Sequence, residues 1–185
     1  MIINLINKNL MKILLFLAIS PGSKYSRKEI KEKTEMNNLP LDLSLIELIN
    51  FKLINQKNKL YYINLENQIV KQLLEEIKEL KTLPLKIQFI LLDFISNTVK
   101  LRGIENIILF GSYSKLIYSE KSDIDIAVIT KKLDETTNKK ISKIANKLSK
   151  KYKKEIQEHF FTQEDLQHKK DHLIKDVLKN GKNLV

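Results

Sequence analysis

The sequence predicts an α+β protein built from two small domains and a helical connector. Its 185 residues are 43% apolar and 30% charged, which is the balance of a globular protein. Apolar residues recur at helical spacing through most of the first half, and after Gly103 they form continuous runs typical of buried strands. We therefore expect domains at residues 1–65 and 101–185, joined by a connector at residues 66–100.

Several kinds of chemistry are excluded by the composition. The chain has no cysteine and three histidines, which excludes disulfides, thiolate zinc sites and cysteine nucleophiles and disfavours a histidine-rich metal site. The apolar run at residues 13–19 is too short to span a bilayer and stops at Pro21-Gly22. We interpret it as a core helix and not a signal peptide, and we expect a cytoplasmic protein with no membrane partner.

The net charge of +11 suits a partner rich in phosphate. However, the only arginines are Arg27 and Arg102, and a chain rich in lysine, isoleucine and asparagine is also typical of an AT-rich coding sequence. Both explanations stay open. Two interpretations are also open for the lysines of a helix predicted at about residues 134–152. They form either a solvated face or a binding surface for an RNA or an acidic protein.

Residues 1–65 are predicted to form three helices and then a hairpin. Ser26 and Glu29 have the spacing of a capping box at the start of the second helix. Two strand-like runs flank a tight turn at Lys57-Asn58. The third helix is marked by apolar residues at helical spacing, namely Leu41, Leu45, Leu48 and Ile49. This order of elements resembles the winged helix-turn-helix family.

The winged-helix resemblance implies a third helix that enters the major groove of duplex DNA. That helix has no lysine or arginine here, so positive charge would hold phosphates from other elements without reading many bases. Duplex DNA binding and protein contact, including a homodimer, both remain open for this domain. The candidate nucleic-acid residues are Arg27, Lys28 and Lys31 on the second helix and Lys57 and Lys59 at the hairpin.

The second domain contains a motif with clear chemistry. Gly111-Ser112 follows a buried strand, and ten residues later comes Asp123-Ile124-Asp125. Because strand side chains alternate, Asp123 and Asp125 lie on one face and repel each other, and Mg²⁺ bound together with substrate phosphates would relieve that repulsion. Gly111 permits a close backbone approach, and Ser112 offers its hydroxyl and N–H groups to a phosphate.

A Gly-Ser pair followed by Asp-x-Asp, here within Ser122 to Val128, resembles the nucleotidyltransferase superfamily of the DNA polymerase β type, especially its minimal antitoxin-like members. The resemblance implies an α/β domain with a small mixed sheet and Mg²⁺-dependent transfer of a nucleoside monophosphate from an NTP, ATP foremost, to a hydroxyl of a protein or RNA acceptor. Some small members are antitoxins that adenylylate a HEPN-type toxin. The implied site is Asp123 and Asp125 for the metal and catalysis, with Gly111, Ser112 and Ser122 for the nucleotide.

Two departures from the family pattern bear on turnover. Leu116 stands where relatives usually have a glycine, and Gln157 aligns with the third carboxylate of active members. An amide cannot take a proton, and Glu155, two residues away on the same strand face, is the candidate substitute for the catalytic carboxylate. Glu158 is expected on the opposite face, and a register shifted by one residue would reverse that choice. The alternative is a catalytically weakened protein of this fold that acts as a winged-helix DNA-binding regulator or as an antitoxin that works by binding.

Overall fold

A computed structural model shows a mixed α+β architecture, with eight helices and seven strands in the part of the chain that it describes. It divides into two compact units, residues 1–89 and 90–185, so the division falls inside the predicted connector. None of the helices described has the length and apolar character that crossing a bilayer requires. The described residues are 7–78, 80–99, 101–132, 134–168 and 171–184.

The first unit combines helices with a three-stranded antiparallel sheet of order β1-β3-β2. Its elements are α1 (Lys8–Ile19), β1 (Tyr25–Ser26), α2 (Arg27–Thr34), α3 (Asn38–Asn50), β2 (Ile54–Lys57), β3 (Leu60–Ile63), α4 (Gln68–Glu76) and the start of α5 (Leu85–Thr98).

Local sequence signals explain how the helices of this unit begin and which faces they bury. The capping box is confirmed, because Ser26 N–H donates to Glu29 Oε2 at 2.7 Å and Ser26 Oγ accepts from Glu29 N–H at 3.3 Å. The apolar run at residues 13–19 forms most of α1 and is buried up to Ala18. The predicted core face of α3 is buried at Leu41, Leu45 and Leu48, and Ile49 is half-buried.

The hairpin turn lies one residue later than the sequence predicted. Lys57 pairs with Leu60, so the central turn residues are Asn58 and Lys59, not Lys57 and Asn58. Both have positive φ, at 52° and 61°. A two-residue turn that matches the twist of the strands needs this left-handed backbone at both positions, and asparagine tolerates it better than most residues.

The second unit holds a four-stranded mixed sheet of order β6-β5-β4-β7, in which the β5–β6 pair is parallel and the other pairs are antiparallel. This is the small mixed sheet expected from the sequence. Its elements after α5 are β4 (Ile104–Phe110), α6 (Gly111–Ser114), β5 (Ile124–Thr130), α7 (Glu135–Tyr152), β6 (Ile156–Thr162), α8 (His172–Asn180) and β7 (Lys182–Asn183). The two-residue strands β1 and β7 carry no strand pattern that the sequence analysis could detect.

An apolar cluster between the sheet and α8 fixes where the candidate site lies. Ala127 and Ile129 of β5 belong to this cluster, and strand alternation places Asp125 on the same face. The carboxylate therefore lies at the edge of a packed core whose position is set by three strands and one helix. The other members of the cluster are Ile108, Phe110, Phe161, Ile174 and Val177.

A buried carboxylate on α5 anchors the end of α7. Asp93 is 0% exposed, and its Oδ2 accepts hydrogen bonds from Tyr152 Oη at 2.8 Å and from Lys151 Nζ at 2.7 Å. Burial raises the pKa of Tyr152 to about 12, so the phenol stays a proton donor. Burial would lower the pKa of Lys151, but the hydrogen bonds with Asp93 and Tyr152 outweigh it and hold that pKa above its usual value.

We expect Lys151→Met to lower the free energy of unfolding by about 1–2 kcal/mol, because the buried Asp93 loses a charged hydrogen bond that is partly screened by solvent. Chemical denaturation measures the loss. Lys150→Met is the matched control, since Lys150 is exposed and makes no described ion pair, and it should leave stability unchanged. Equal losses in the two variants would contradict this role for Lys151.

Candidate functional site

The site is built around a glycine that almost touches a carboxylate. Gly111 begins α6 directly after β4, and its φ of 71° is left-handed. A β-carbon on Gly111 would overlap the side chain of Asp125 and lie 2.8 Å from its Cγ. Glycine is therefore required both by the backbone conformation and by the lack of space. The side chain that Gly111 approaches in the structure is Asp125, and contact of Gly111 with a nucleotide stays a prediction.

Asp125 is in a strained electrostatic environment. Asp125 pairs with Phe110 of the neighbouring strand β4, and the side chain of Asp125 is partly buried. Burial raises the pKa of Asp125, and the negative charges of Asp123 and Asp176 raise it further, while His159 and Lys115 oppose the shift. The two motif carboxylates thus repel each other across one sheet face, as their spacing predicted, and a cation between them would relieve that repulsion.

Gln157 lies beside the carboxylate pair. It is the partner of Asp125 in the parallel register of β5 and β6, and its Nε2 donates to Asp123 Oδ2 at 2.8 Å. Glu155 precedes β6 and is exposed, and its backbone carbonyl accepts from Ile124 N–H at 3.0 Å. Among the described hydrogen bonds it is therefore Gln157, and not the side chain of Glu155, that contacts the pair.

The two serines of the motif have different surroundings. Ser112 is the second residue of α6 and is partly exposed, and its carbonyl accepts from Ile117 N–H at 3.0 Å. Ser122 Oγ accepts from Ser119 N–H at 2.8 Å, which closes the turn that leads into Asp123. The hydroxyl of Ser122 therefore shapes the approach to the carboxylates, and nucleotide contact by either serine stays a prediction.

Three residues around the site were missed by the sequence analysis. Asp176 of α8 accepts from Lys115 Nζ at 3.0 Å on both oxygens and from Asn180 Nδ2 at 2.7 Å. Burial would raise the pKa of Asp176, but these bonds, the charge of Lys115 and a backbone bond from Gly111 hold that pKa below its usual value. Lys115 and Asp176 are 61 positions apart, so no local motif links them. The amphipathic pattern of α8 was the one sequence feature that could have indicated that this helix packs near the site.

The loop between α6 and β5 is held in place by Lys154. Its Nζ donates to the Glu120 carbonyl at 2.7 Å and lies 5.4 Å from the ring centre of Tyr113, which stacks on Tyr118. Lys154, which follows the lysine-rich helix α7, thus stabilises this loop. Lys139 and Lys151 are also paired, with Glu135 and Asp93.

Leu116, where the sequence departs from the family pattern, has a left-handed backbone. Its φ is 59°, in the left-handed region that glycine favours, and its side chain is 48% exposed. Because the side chain points away from packed surroundings, the substitution costs backbone strain without reshaping the neighbouring core.

The donor set of the site fits Mg²⁺ bound together with phosphates. Asp123 and Asp125 offer hard oxygen ligands on one face, and the absence of a β-carbon on Gly111 is what allows the Asp125 carboxylate to lie there. In the described part of the chain, no group of three or more His, Asp or Glu side chains could hold a metal by itself. The remaining ligands would therefore come from substrate oxygens and water.

The candidate nucleic-acid residues lie on α2 and at the hairpin of the first unit. Arg27 is engaged within the unit, because its Nε and Nη2 donate to the two oxygens of Asp42 at 2.6 and 2.9 Å. Lys28 is exposed and lies 4.0 Å from Glu32, and Lys31 is partly exposed. The hairpin residues Lys57 and Lys59 are exposed.

Known proteins resemble mainly the second unit. Residues 93–185 match the family model described as Polymerase beta, Nucleotidyltransferase. A protein of Methanocaldococcus jannaschii named "Putative protein adenylyltransferase" is 39% identical over 57 residues, which are 30% of this chain and 58% of that relative. This chain therefore matches less than two thirds of that protein's length.

Two solved structures are also similar. A crystal structure of a toxin-antitoxin with AMP-PNP is 27% identical with a TM-score of 0.38, and the match covers 54% of this chain and 70% of that one. A mutant MntA-HpeT toxin-antitoxin is 24% identical with a TM-score of 0.38, covering 54% and 71% of the two chains.

We expect Gly111→Ala to be far more damaging than Gly103→Ala. Both glycines have positive φ, but nothing lies within 4 Å of a β-carbon on Gly103, whereas Gly111 faces Asp125. Gly103→Ala should cost about 1 kcal/mol of backbone strain, and Gly111→Ala at least about 3 kcal/mol because Asp125 must also move. Chemical denaturation of both variants measures the difference, and equal losses would show that Asp125 does not limit the space at Gly111.

Proposed function

The chain belongs to the polymerase beta nucleotidyltransferase family, and from this premise we propose that it transfers a nucleoside monophosphate from an NTP, ATP foremost, to a hydroxyl of a protein or RNA acceptor. The observation that carries the proposal is that Asp123, Asp125 and Gly111 meet where the two central strands, β4 and β5, end and begin. Carboxylates that repel each other suit a cation bound together with a triphosphate.

In this proposal Asp123 and Asp125 hold Mg²⁺, and Ser112 binds the triphosphate through its hydroxyl and N–H groups. Bound Mg²⁺ would stabilise the negative charge that develops on the phosphates. The acceptor oxygen forms a bond to the α-phosphorus, the bond between the α- and β-phosphates breaks, and pyrophosphate leaves. Gln157 orients Asp123 through its 2.8 Å hydrogen bond but cannot accept the hydroxyl proton. In this proposal that proton passes to water or to the exposed carboxylate of Glu155.

A protein is the acceptor that we favour over RNA. The Methanocaldococcus relative is named as a protein adenylyltransferase, and the matched segment is 39% identical. Small members of the family also act as antitoxins, so a HEPN-type toxin is the proposed partner. An RNA acceptor would instead be expected to use the exposed lysines of α7, since phosphate contacts depend on such charges.

A second candidate function is binding without turnover. The specific observation in its favour is Gln157, because an amide occupies the strand position beside Asp125 where active relatives have a carboxylate. The order α1-β1-α2-α3-β2-β3 supports a winged helix in the first unit, which would allow a DNA-binding regulator. The ion pair of Arg27 with Asp42 argues against DNA binding by this unit, because the one arginine of α2 is already paired with a carboxylate.

We expect ATP with Mg²⁺ to bind the wild-type chain and Asp123→Asn to bind it about 10²-fold more weakly, because a ligand of the cation loses its charge. Calorimetric titration with and without EDTA measures this. Glu120→Gln is the matched control, since it removes a charge from an exposed residue three positions away. An affinity for ATP that is the same with and without EDTA, and the same in Asp123→Asn, would refute the proposed nucleotide site.

We expect Gln157→Glu to raise the rate of adenylyl transfer by about 10²-fold, because it supplies a carboxylate that can take the hydroxyl proton. Incorporation of α-labelled ATP into candidate acceptors measures this rate. Gln163→Glu adds the same charge at an exposed site and should have no effect. If activity is lost in Glu155→Gln and unchanged in Gln157→Glu, then Glu155 is the base that takes the hydroxyl proton.

A further inference from the structure

Helix α7 of the second unit presents a row of lysines to solvent. The four residues of the row are exposed and follow at positions i, i+3, i+7 and i+10, namely Lys140, Lys143, Lys147 and Lys150. Residues at this spacing lie on one side of a helix, and ten residues of helix rise by about 15 Å. These four residues form what we call the lysine stripe.

The positive charge of the lysine stripe is not balanced by nearby acids. Two other lysines of α7 form described ion pairs, with Glu135 at 3.1 Å and with Asp93 at 2.7 Å. The stripe lysines take part in none of the ion pairs found among the described residues. Glu135, in the first turn, is the one acidic residue of α7. Like charges three or four positions apart on a helix repel, and an anionic partner would relieve this repulsion.

The lysine stripe and the candidate site lie on different sides of the second unit. Asp125 shares its sheet face with the apolar cluster under α8, and none of the residues described in that cluster belongs to α7. The opposite face of β5 is also buried, at Ile126 and Val128. The buried side of α7, which includes Ile141 and Leu148, therefore packs on that opposite face. A partner bound to the stripe is thus held away from the carboxylate pair.

The side chains of the lysine stripe suit phosphates better than a protein surface. Their neighbours on this side of α7 are polar, at Ser142 and Asn146, whereas protein interfaces have apolar cores in which lysine is depleted. Helix α7 has no arginine for bidentate contact with guanine. Its one aromatic residue, Tyr152, is buried, so α7 offers no ring on which an unpaired base could stack. Contacts with the phosphates of paired strands are what remains.

We propose that the lysine stripe binds the phosphate backbone of duplex DNA without reading its sequence. A DNA duplex carries one negative charge per about 1.7 Å of its axis, so several phosphates lie within reach of a stripe about 15 Å long. The major groove of B-DNA, about 12 Å wide, admits an α-helix, whereas the major groove of an RNA duplex is too narrow for one. Duplex DNA is therefore the nucleic acid that a row of lysines on a helix fits best.

Fluorescence anisotropy of the full chain with labelled duplexes of about 20 base pairs tests the proposal, at about 50 to 200 mM salt. The wild type should bind two duplexes of unrelated sequence equally well, with a Kd on the order of 10⁻⁵ M near physiological salt. Replacing all four stripe lysines with glutamine should weaken binding at least about 30-fold. It should also reduce the slope of log K against log salt by about 3 to 4, since each lost phosphate contact removes about 0.9.

Two control variants remove the same amount of charge elsewhere. The first replaces exposed lysines of α4, of the loop between α6 and β5 and of α8 with glutamine, namely Lys71, Lys121, Lys175 and Lys179. The second does the same for the candidate nucleic-acid lysines of the first unit, namely Lys28, Lys31, Lys57 and Lys59. Each control should weaken binding at most about 3-fold, because salt screens charges that do not touch the duplex. Circular dichroism verifies that every variant is folded.

Equal losses in the stripe variant and in either control would overturn the proposal, because binding would then follow the lysine content of the chain or the first unit. So would a wild type that does not bind the duplex at about 50 mM salt. Tighter binding of single strands, of an RNA duplex or of poly-L-glutamate would overturn the choice of duplex DNA. Asp123→Asn should leave DNA binding unchanged, which separates this proposal from the proposed nucleotide site.

Discussion

The carboxylate of Asp125 occupies space that a β-carbon on Gly111 would fill, and the arrangement of the second unit depends on this approach. It requires the end of β4 to lie against the start of β5, which the antiparallel pair of Phe110 with Asp125 achieves. It also requires a left-handed residue between β4 and α6. The apolar cluster under α8 holds these strands in register, so the stability of the core and the geometry of the site have the same origin.

The two carboxylates of the pair are stabilised differently, Asp123 by a hydrogen bond and Asp125 by the charges of His159 and Lys115. Gln157 donates to Asp123, whereas Asp125 has a raised pKa because burial and neighbouring acids act on it together. The positive charge of Lys115 acts on Asp125, and Lys115 also forms an ion pair with Asp176. The pair thus keeps an excess of negative charge that a divalent cation could neutralise. Gln157 adds no negative charge beside the pair and cannot accept a proton.

Much of the site could be predicted from the sequence, because Gly111-Ser112 and Asp123-x-Asp125 are local patterns whose geometry follows from strand alternation. The capping box of Ser26 and Glu29 was equally local. Asp176 and Lys115 could not be predicted, since they meet through tertiary packing across 61 positions. The exposed apolar face of α3, at Leu39, Leu43 and Ile46, was also missed. Periodicity shows which residues share a helix face, but it does not show whether a second apolar face is buried or exposed.

The central claim is that Asp123, Asp125 and Gly111-Ser112 together hold a nucleoside triphosphate with a divalent cation. Its most direct test is a crystal structure of the chain with Mg²⁺ and a non-hydrolysable ATP analogue. Our account predicts Mg²⁺ between the two carboxylates and the triphosphate, with phosphate oxygens at Ser112. A triphosphate bound at the other end of the sheet, in the groove of Glu105, Lys131 and Thr162, with no metal at the aspartates, would contradict it.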